Sequence, residues 1–268
     1  MTTTLALAGP GDVLPLAAAA VGLSFLLLWL LSVVIKDVSI VDPAWGPAYV
    51  LVAFVGVLAA DGDGARRAVL FVLVAVWGIR LGVHLGRRKL GEIGEEDKRY
   101  AAMREKRGDG GFALYSLGVV FGFQAFLVLL VSLPVQVGAA SGESLNWLVV
   151  PGVLLWAVGL FFEAVGDHQL DQFKQDPSNK GKVMDQGLWR YTRHPNYFGD
   201  ACVWWGIYLV ALTVSGAWWT FVGPVVMTLF LTKFSGAGLM EKTIGNRREG
   251  YDEYVERTSG FIPLPPKS

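Results

Sequence analysis

Residues 14–35 read LPLAAAAVGLSFLLLWLLSVVI, an apolar run from Leu14 to Ile35 with no charge in it. A helix rises 1.5 Å per residue, so this run is long enough to cross a hydrocarbon core about 30 Å thick. Lys36 and Asp37 close it. No Lys or Arg precedes it, and it exceeds a signal-peptide core in length, so it is expected to be a retained helix. Working outward, a second span is predicted over 44–60, closed by Asp61-Gly62-Asp63-Gly64, and a third over 68–85. A fourth covers 112–135, with Pro134 near its end, and a fifth covers 147–165. A sixth and a seventh follow over 197–214 and 218–234. In lipid each backbone polar group needs an internal partner, and these runs lack the period-2 alternation of a membrane barrel, so helices are the expected state. The fold class is therefore all-α, a polytopic membrane helix bundle of about seven transmembrane helices, read as a single membrane domain over 1–268.

Composition agrees. The chain is 53% hydrophobic and 17% charged, against about 25% charged in soluble domains, and its mean hydropathy is +0.45. Formal net charge is zero, which leaves no bulk electrostatic case for nucleic acid. The single cysteine, Cys202, permits no intramolecular disulfide and no multi-cysteine metal site.

The zero net charge conceals an asymmetry. With the N-terminus outside, the inner segments hold 19 of the 23 Lys and Arg residues, while the outer segments hold only Arg66 and Arg67. The positive-inside rule then predicts that the 86–111 loop, the 166–195 loop and the C-terminal tail are cytoplasmic.

The polar chemistry gathers on that inner side. Residues 167–200 read DHQLDQFKQDPSNKGKVMDQGLWRYTRHPNYFGD. Lys174, Lys182 and Arg193 precede His194, Asn196 and Tyr197 at the mouth of the sixth span, where Pro195 favours a helix start. An ordinary basic inner loop would contain such cations too. Asp200, however, lies inside the apolar span one turn beyond Asn196, and an intramembrane carboxylate costs several kcal/mol unless it has a partner or a task. In the tail, Glu241, Lys242, Arg248 and Tyr254 form a second polar set, read either as a solvated amphipathic segment or as a cap over a ligand. Near the first inner loop Asp42 opens the second span, as an N-cap or as an acid whose pKa is raised at an apolar helix entrance. In the third span Arg80, His84 and Arg87 share one face at i, i+4 and i+7, with Arg88 beside them. With Gln124 and Glu163, these residues predict a polar cavity in the inner half of the bundle. No GxGxxG follows a strand, no P-loop is present, and His84, His168 and His194 lack HExxH spacing, so no metal centre is supported.

The segments KDVSIVDPAWG, GLWRYTRHPNYFGDACVWWG and EYVERTSGFIP resemble the DUF1295 group of the steroid 5α-reductase-like superfamily, over roughly residues 30–265. Related patterns occur in isoprenylcysteine and phospholipid methyltransferases. The resemblance implies a seven-helix bundle with NADPH in its cytoplasmic half, bound by the C-terminal part, 112–268. It implies that Asn196 and Asp200 match cofactor-contacting positions, that Asp167, Lys174 and Lys182 match the acidic and basic residues before them, and that Arg87 and Arg88 lie near a cluster after the third span. Glu241 and Lys242 fall near tail contacts. The family's carbonyl-polarising carboxylate and Tyr correspond here to Asp42 and Trp77, and Trp cannot donate a phenolic proton.

The expected activity is thus NADPH-dependent reduction of a carbon–carbon double bond in a lipid or sterol-like enone that enters from the bilayer. Asp42 would be the acid, assisted by His84 or Arg80, and Lys174, Lys182, Arg193 and Arg248 would hold phosphates. The alternative is an S-adenosylmethionine-dependent methyltransferase acting on a lipid or lipidated substrate. The abundance of cations favours the phosphate-bearing cofactor. A transporter would need polar groups in the outer half as well.

Overall fold

The computed structural model describes residues 10–91, 94–234 and 250–267. Among these residues the chain is helical, with no β-strand. Five stretches among the described residues are long and apolar enough to cross a membrane: Val13–Ile35, Val38–Ala59, Gly64–Leu90, Gly110–Val131 and Val149–Gln175. The sixth expected span is a helix of 17 residues, and the seventh is divided into short pieces. The chain forms two compact units, one of residues 1–148 with 210–220, the other of 149–209 with 221–268.

The first unit begins with α1 (Pro10–Ile35). Val13, Ala17, Val21 and Phe25 recur every fourth residue and are buried, while Leu23, Leu27, Leu30, Leu31 and Val34 are exposed. An exposed face of that kind is costly in water and suits lipid. Helices α2 (Val41–Ala59) and α3 (Gly64–Leu90) follow. They cross at two glycines: a Cβ on Gly46 would stand 2.2 Å from the Gly78 carbonyl oxygen. The contact therefore needs hydrogen at both positions. The third span is longer than its apolar core predicts. Asp63 caps it by accepting a hydrogen bond from the Arg66 N–H, and Arg87, Arg88 and Lys89 lie in its last turn, where cations suit the helix dipole.

The expected 86–111 loop contains helix α4 (Lys98–Arg107) and the start of α5 (Asp109–Ser116). A π-helical turn, Leu117–Gly122, joins α5 to α6 (Phe123–Val131). The expected fourth span ends at Ser132 rather than at Val135, and α7 (Leu133–Ala140) restarts with Pro134 in its first turn. Proline has no N–H to offer the preceding turn, so the break falls where the sequence places it.

In the second unit α8 (Val149–Gln175) continues ten residues beyond the expected boundary at Val165. The segment GDHQLDQFKQ contains no proline and loses only its hydrophobicity, so the helix runs on out of the apolar stretch. Helix α9 (Pro195–Ala211) starts with proline at its first position. A 3-10 turn, Ala217–Phe221, leads into α10 (Val222–Leu229) and a π turn, Phe230–Phe234. A short helix, α11 (Tyr251–Arg257), carries the tail.

Candidate functional site

Glycines bring α8 and α9 together until their backbones touch. A Cβ on Gly199 would stand 2.5 Å from the Gly159 oxygen, and one on Gly206 would stand 2.6 Å from the Gly152 oxygen. Each helix carries two polar groups one turn apart, Glu163 and Asp167 on α8, Asn196 and Asp200 on α9. The close approach brings these rows to one place. Asn196 Nδ2 donates to Asp167 Oδ1 at 2.9 Å. Glu163, Asp167 and Asp200 are buried, as is His194. The His194 and Tyr197 rings stack with centroids 5.3 Å apart.

The turn before α9 is built from α8 outward. Gly187 takes φ +58, a left-handed conformation that favours glycine. Leu188 N then donates to Gln169 Oε1, and Trp189 Nε1 donates to the Gly166 carbonyl. The tail docks on this turn. Tyr254 donates its hydroxyl to the Trp189 carbonyl at 2.5 Å, and Thr192 Oγ1 donates to the Phe261 carbonyl at 2.8 Å. Arg193 Nη1 donates to the carbonyls of Val255 at 3.0 Å and Thr258 at 2.8 Å. In this arrangement the Arg193 guanidinium and the Tyr254 hydroxyl anchor the tail. Lys174 and Lys182 are exposed. Glu241, Lys242 and Arg248 lie outside the described residues.

A second polar cluster occupies the first unit. Asp42 accepts from Arg99 Nη2 at 2.7 Å and from the Tyr100 hydroxyl at 2.8 Å. Gln124 Nε2 approaches the same phenolic oxygen at 3.4 Å. Burial pushes the Tyr100 hydroxyl well above the usual phenol range, and the Asp42 carboxylate beside it pushes the same way. Arg99 and Arg88 flank Asp97 at 2.9 and 3.7 Å. Arg104 holds Glu96 through two hydrogen bonds of 2.8 Å. Glu96 in turn accepts from Val38 N at 2.9 Å. Lys89 pairs with Asp37 at 2.6 Å and donates to Ser39 Oγ at 2.8 Å. Arg80 and His84 are half-buried on α3, while Arg87 and Arg88 are exposed in its last turn. Trp77 is fully buried and packs edge-on against Tyr49, with ring centroids 5.5 Å apart.

Tyr100 was not among the sequence candidates. It lies in a charged stretch 58 residues from Asp42, and no local spacing marks it. The structure thus places a phenol against the one carboxylate at the mouth of α2.

The DUF1295 family model, described as a protein of unknown function, matches residues 28–258. The chain belongs to this family. Among curated relatives of this DUF1295 chain, an uncharacterized protein of Schizosaccharomyces pombe is 23% identical over 90% of the chain and 78% of its own length. The 3-oxo-5-alpha-steroid 4-dehydrogenase 1 of Bos taurus is 27% identical over 44% of the chain and 45% of that enzyme. A probable O-methyltransferase of Ustilaginoidea virens is 44% identical over 22% of the chain and 21% of its own length. The chain thus spans less than half the length of the named enzymes it matches. No solved structure matches.

The α8–α9 cluster gathers an amide, carboxylates and a ring pair in one place. Lys174 stands in the last turn of α8 and Lys182 on the segment between the two helices.

Proposed function

We propose that this chain is a membrane-embedded, NADPH-dependent reductase of a carbon–carbon double bond in a lipid or sterol-like enone. The hydrogen bond from half-buried Asn196 to buried Asp167, with buried Asp200 and Glu163 alongside, carries the reading, because buried carboxylates on membrane helices are retained for a partner or a task. The similarity to 3-oxo-5-alpha-steroid 4-dehydrogenases supports it. In this reading the bundle has seven spans, and the basic loops place the cofactor on the cytoplasmic side. Asn196, Asp200 and Asp167 bind and orient the nucleotide, with His194 and Tyr197 nearby. Lys174, Lys182, Lys242 and Arg248 neutralise its phosphates.

When bound, NADPH supplies the hydride. The remaining requirement is a proton for the enolate that hydride addition creates. Tyr100 holds that proton on its phenolic oxygen. Asp42, engaged by Arg99, is the acceptor in the pair and orients the hydroxyl. Once the proton leaves, Gln124 Nε2 and the Arg99 guanidinium, 5.2 Å from the ring centroid, stand beside the phenolate. The acid role expected of Asp42 thereby passes to Tyr100, with Arg80 and His84 as supporting groups.

Thermal shift of the purified protein with NADPH, NADH and S-adenosylmethionine tests the cofactor. NADPH should stabilise most, and stabilisation by S-adenosylmethionine alone would overturn the reading. Tyr100→Phe should abolish reduction while leaving NADPH affinity unchanged. The local match to the probable O-methyltransferase favours the second reading, methyl transfer from S-adenosylmethionine, and the same titration separates the two.

A further inference from the structure

The second unit holds a pocket that the reductase reading does not use. Its volume is about 470 Å³, and Asp185, Gln186, Gly187, Arg190, Arg257, Thr258, Pro266 and Lys267 line it. Three cations therefore face one carboxylate. That carboxylate is committed, since Asp185 pairs with Arg257. Arg190 and Lys267 are exposed, and neither side chain makes a hydrogen bond or ion pair among the described residues. The backbone holds the pieces in register. Lys267 N donates to the Arg257 carbonyl at 2.9 Å, and Leu264 N donates to the Tyr191 carbonyl at 3.0 Å. Pro265 and Pro266 stiffen the strap between these contacts, and Pro263 precedes it.

The neighbouring surface is apolar and open. Ile262 is 60% exposed, Leu264 53% and Tyr191 43%. Tyr191 follows Arg190 directly, and Leu264 precedes the pocket-lining Pro266 by two residues. A cationic recess beside an apolar rim with a tyrosine is the chemistry of a membrane interface. The recess takes an anionic headgroup while the rim meets the acyl boundary. A free anion would have no use for the rim.

We propose that this pocket binds the phosphate of an anionic membrane lipid, with Arg190 and Lys267 as its ligands and Tyr191, Ile262 and Leu264 against the lipid's apolar part. The site is separate from the cofactor reading and stands or falls without it.

The test uses the full-length protein in phosphatidylcholine nanodiscs, titrated with short-chain phosphatidylglycerol and followed by native mass spectrometry and thermal shift. Phosphatidylglycerol should bind saturably and raise the melting temperature, and added phosphatidylcholine should not. Arg190→Gln and Lys267→Gln should each weaken phosphatidylglycerol binding about fivefold, the order expected for one basic residue at an anionic headgroup. Both residues are exposed, so melting in phosphatidylcholine alone should not change. Leu264→Ser should weaken the lipid and leave binding of inorganic phosphate unaltered. Equal affinity in wild type and both charge variants would overturn the proposal, as would no binding of phosphatidylglycerol. Inorganic phosphate binding as tightly as the lipid would also overturn it. Displacement of the lipid by 2′,5′-ADP would overturn it in favour of a nucleotide subsite.

Discussion

Replacing Arg193 with Met removes two hydrogen bonds from a charged donor to main-chain carbonyls, those of Val255 and Thr258. Bonds of this kind contribute about 1.5–3 kcal/mol each, and two that share one nitrogen contribute less than twice that, so the loss is about 2–4 kcal/mol. The tail does not fall away. Thr192 Oγ1 still holds the Phe261 carbonyl, Tyr254 still holds the Trp189 carbonyl, and Leu264 N still donates to Tyr191. The variant should therefore populate the undocked tail more often without losing its fold. At 1.4 kcal/mol per tenfold, the population of opened tail rises about 100-fold. Hydrogen exchange in detergent reads this directly. Amides in 250–258 should lose about two orders of protection, and those of α1 and α3 should keep theirs. Unchanged protection in the tail, combined with a collapse of nucleotide affinity, would refute the anchoring role and make Arg193 a phosphate ligand.

Gly46→Ala should destabilise by about 1–3 kcal/mol through overpacking, because its Cβ meets the Gly78 backbone, whereas Gly22→Ala, in the interior of α1, meets nothing within 4 Å and should not lower the melting temperature in the same thermal melt. Asn196→Ala strips Asp167 of its amide donor and should cost about 1–3 kcal/mol as well as nucleotide affinity; unchanged affinity would place the cofactor elsewhere. Burial alone raises the Asp37 pKa, but the hydrogen bonds from Lys89 and Ser39 outweigh it and leave the carboxyl below its ordinary value. That contribution is fully present above the unfolded-state pKa and disappears as pH falls through the lower folded-state value. The gap in melting temperature between wild type and Asp37→Asn should therefore stay constant down to about pH 4 and close below it.

What was legible in the sequence followed from physics that acts locally. Lipid permits only internally bonded backbone, so apolar length alone located α1, α2, α3 and α8. Pro195 marked the start of α9, whereas Pro134, expected near the end of the fourth span, instead begins the separate helix α7. The carboxylate and amide rows were legible as well, since Glu163 and Asp167, and Asn196 and Asp200, each repeat at i, i+4. The rest depended on contacts between distant parts of the chain. Nothing near Asp42 announces Arg99 or Tyr100, which arrive from α4. Arg193 carries the same charge whether it faces a phosphate or two carbonyls, and only the docked tail distinguishes them. Helix α8 outran its predicted end because hydropathy marks the edge of a lipid phase, not the edge of a helix.

The two polar clusters differ in a way that bears on where chemistry resides. In the first unit four inner-side carboxylates are paired with cations: Asp37 with Lys89, Glu96 with Arg104, Asp42 with Arg99, and Asp97 with both Arg99 and Arg88. Within this ladder the Tyr100 hydroxyl, donating to Asp42, is the group to which the proposed reaction assigns the proton. In the second unit Glu163, Asp167 and Asp200 gather between two helices whose glycines admit no separation. Burying carboxylates there costs several kcal/mol, and the glycines let the two backbones come into contact beside them. Gly159 and Gly199 therefore set both the packing and the spacing of the acceptors. An alanine at Gly159 would meet the Gly199 oxygen at 2.5 Å and force the two rows apart. In this pair of helices the distance that decides stability is also the distance that decides what the carboxylates can hold.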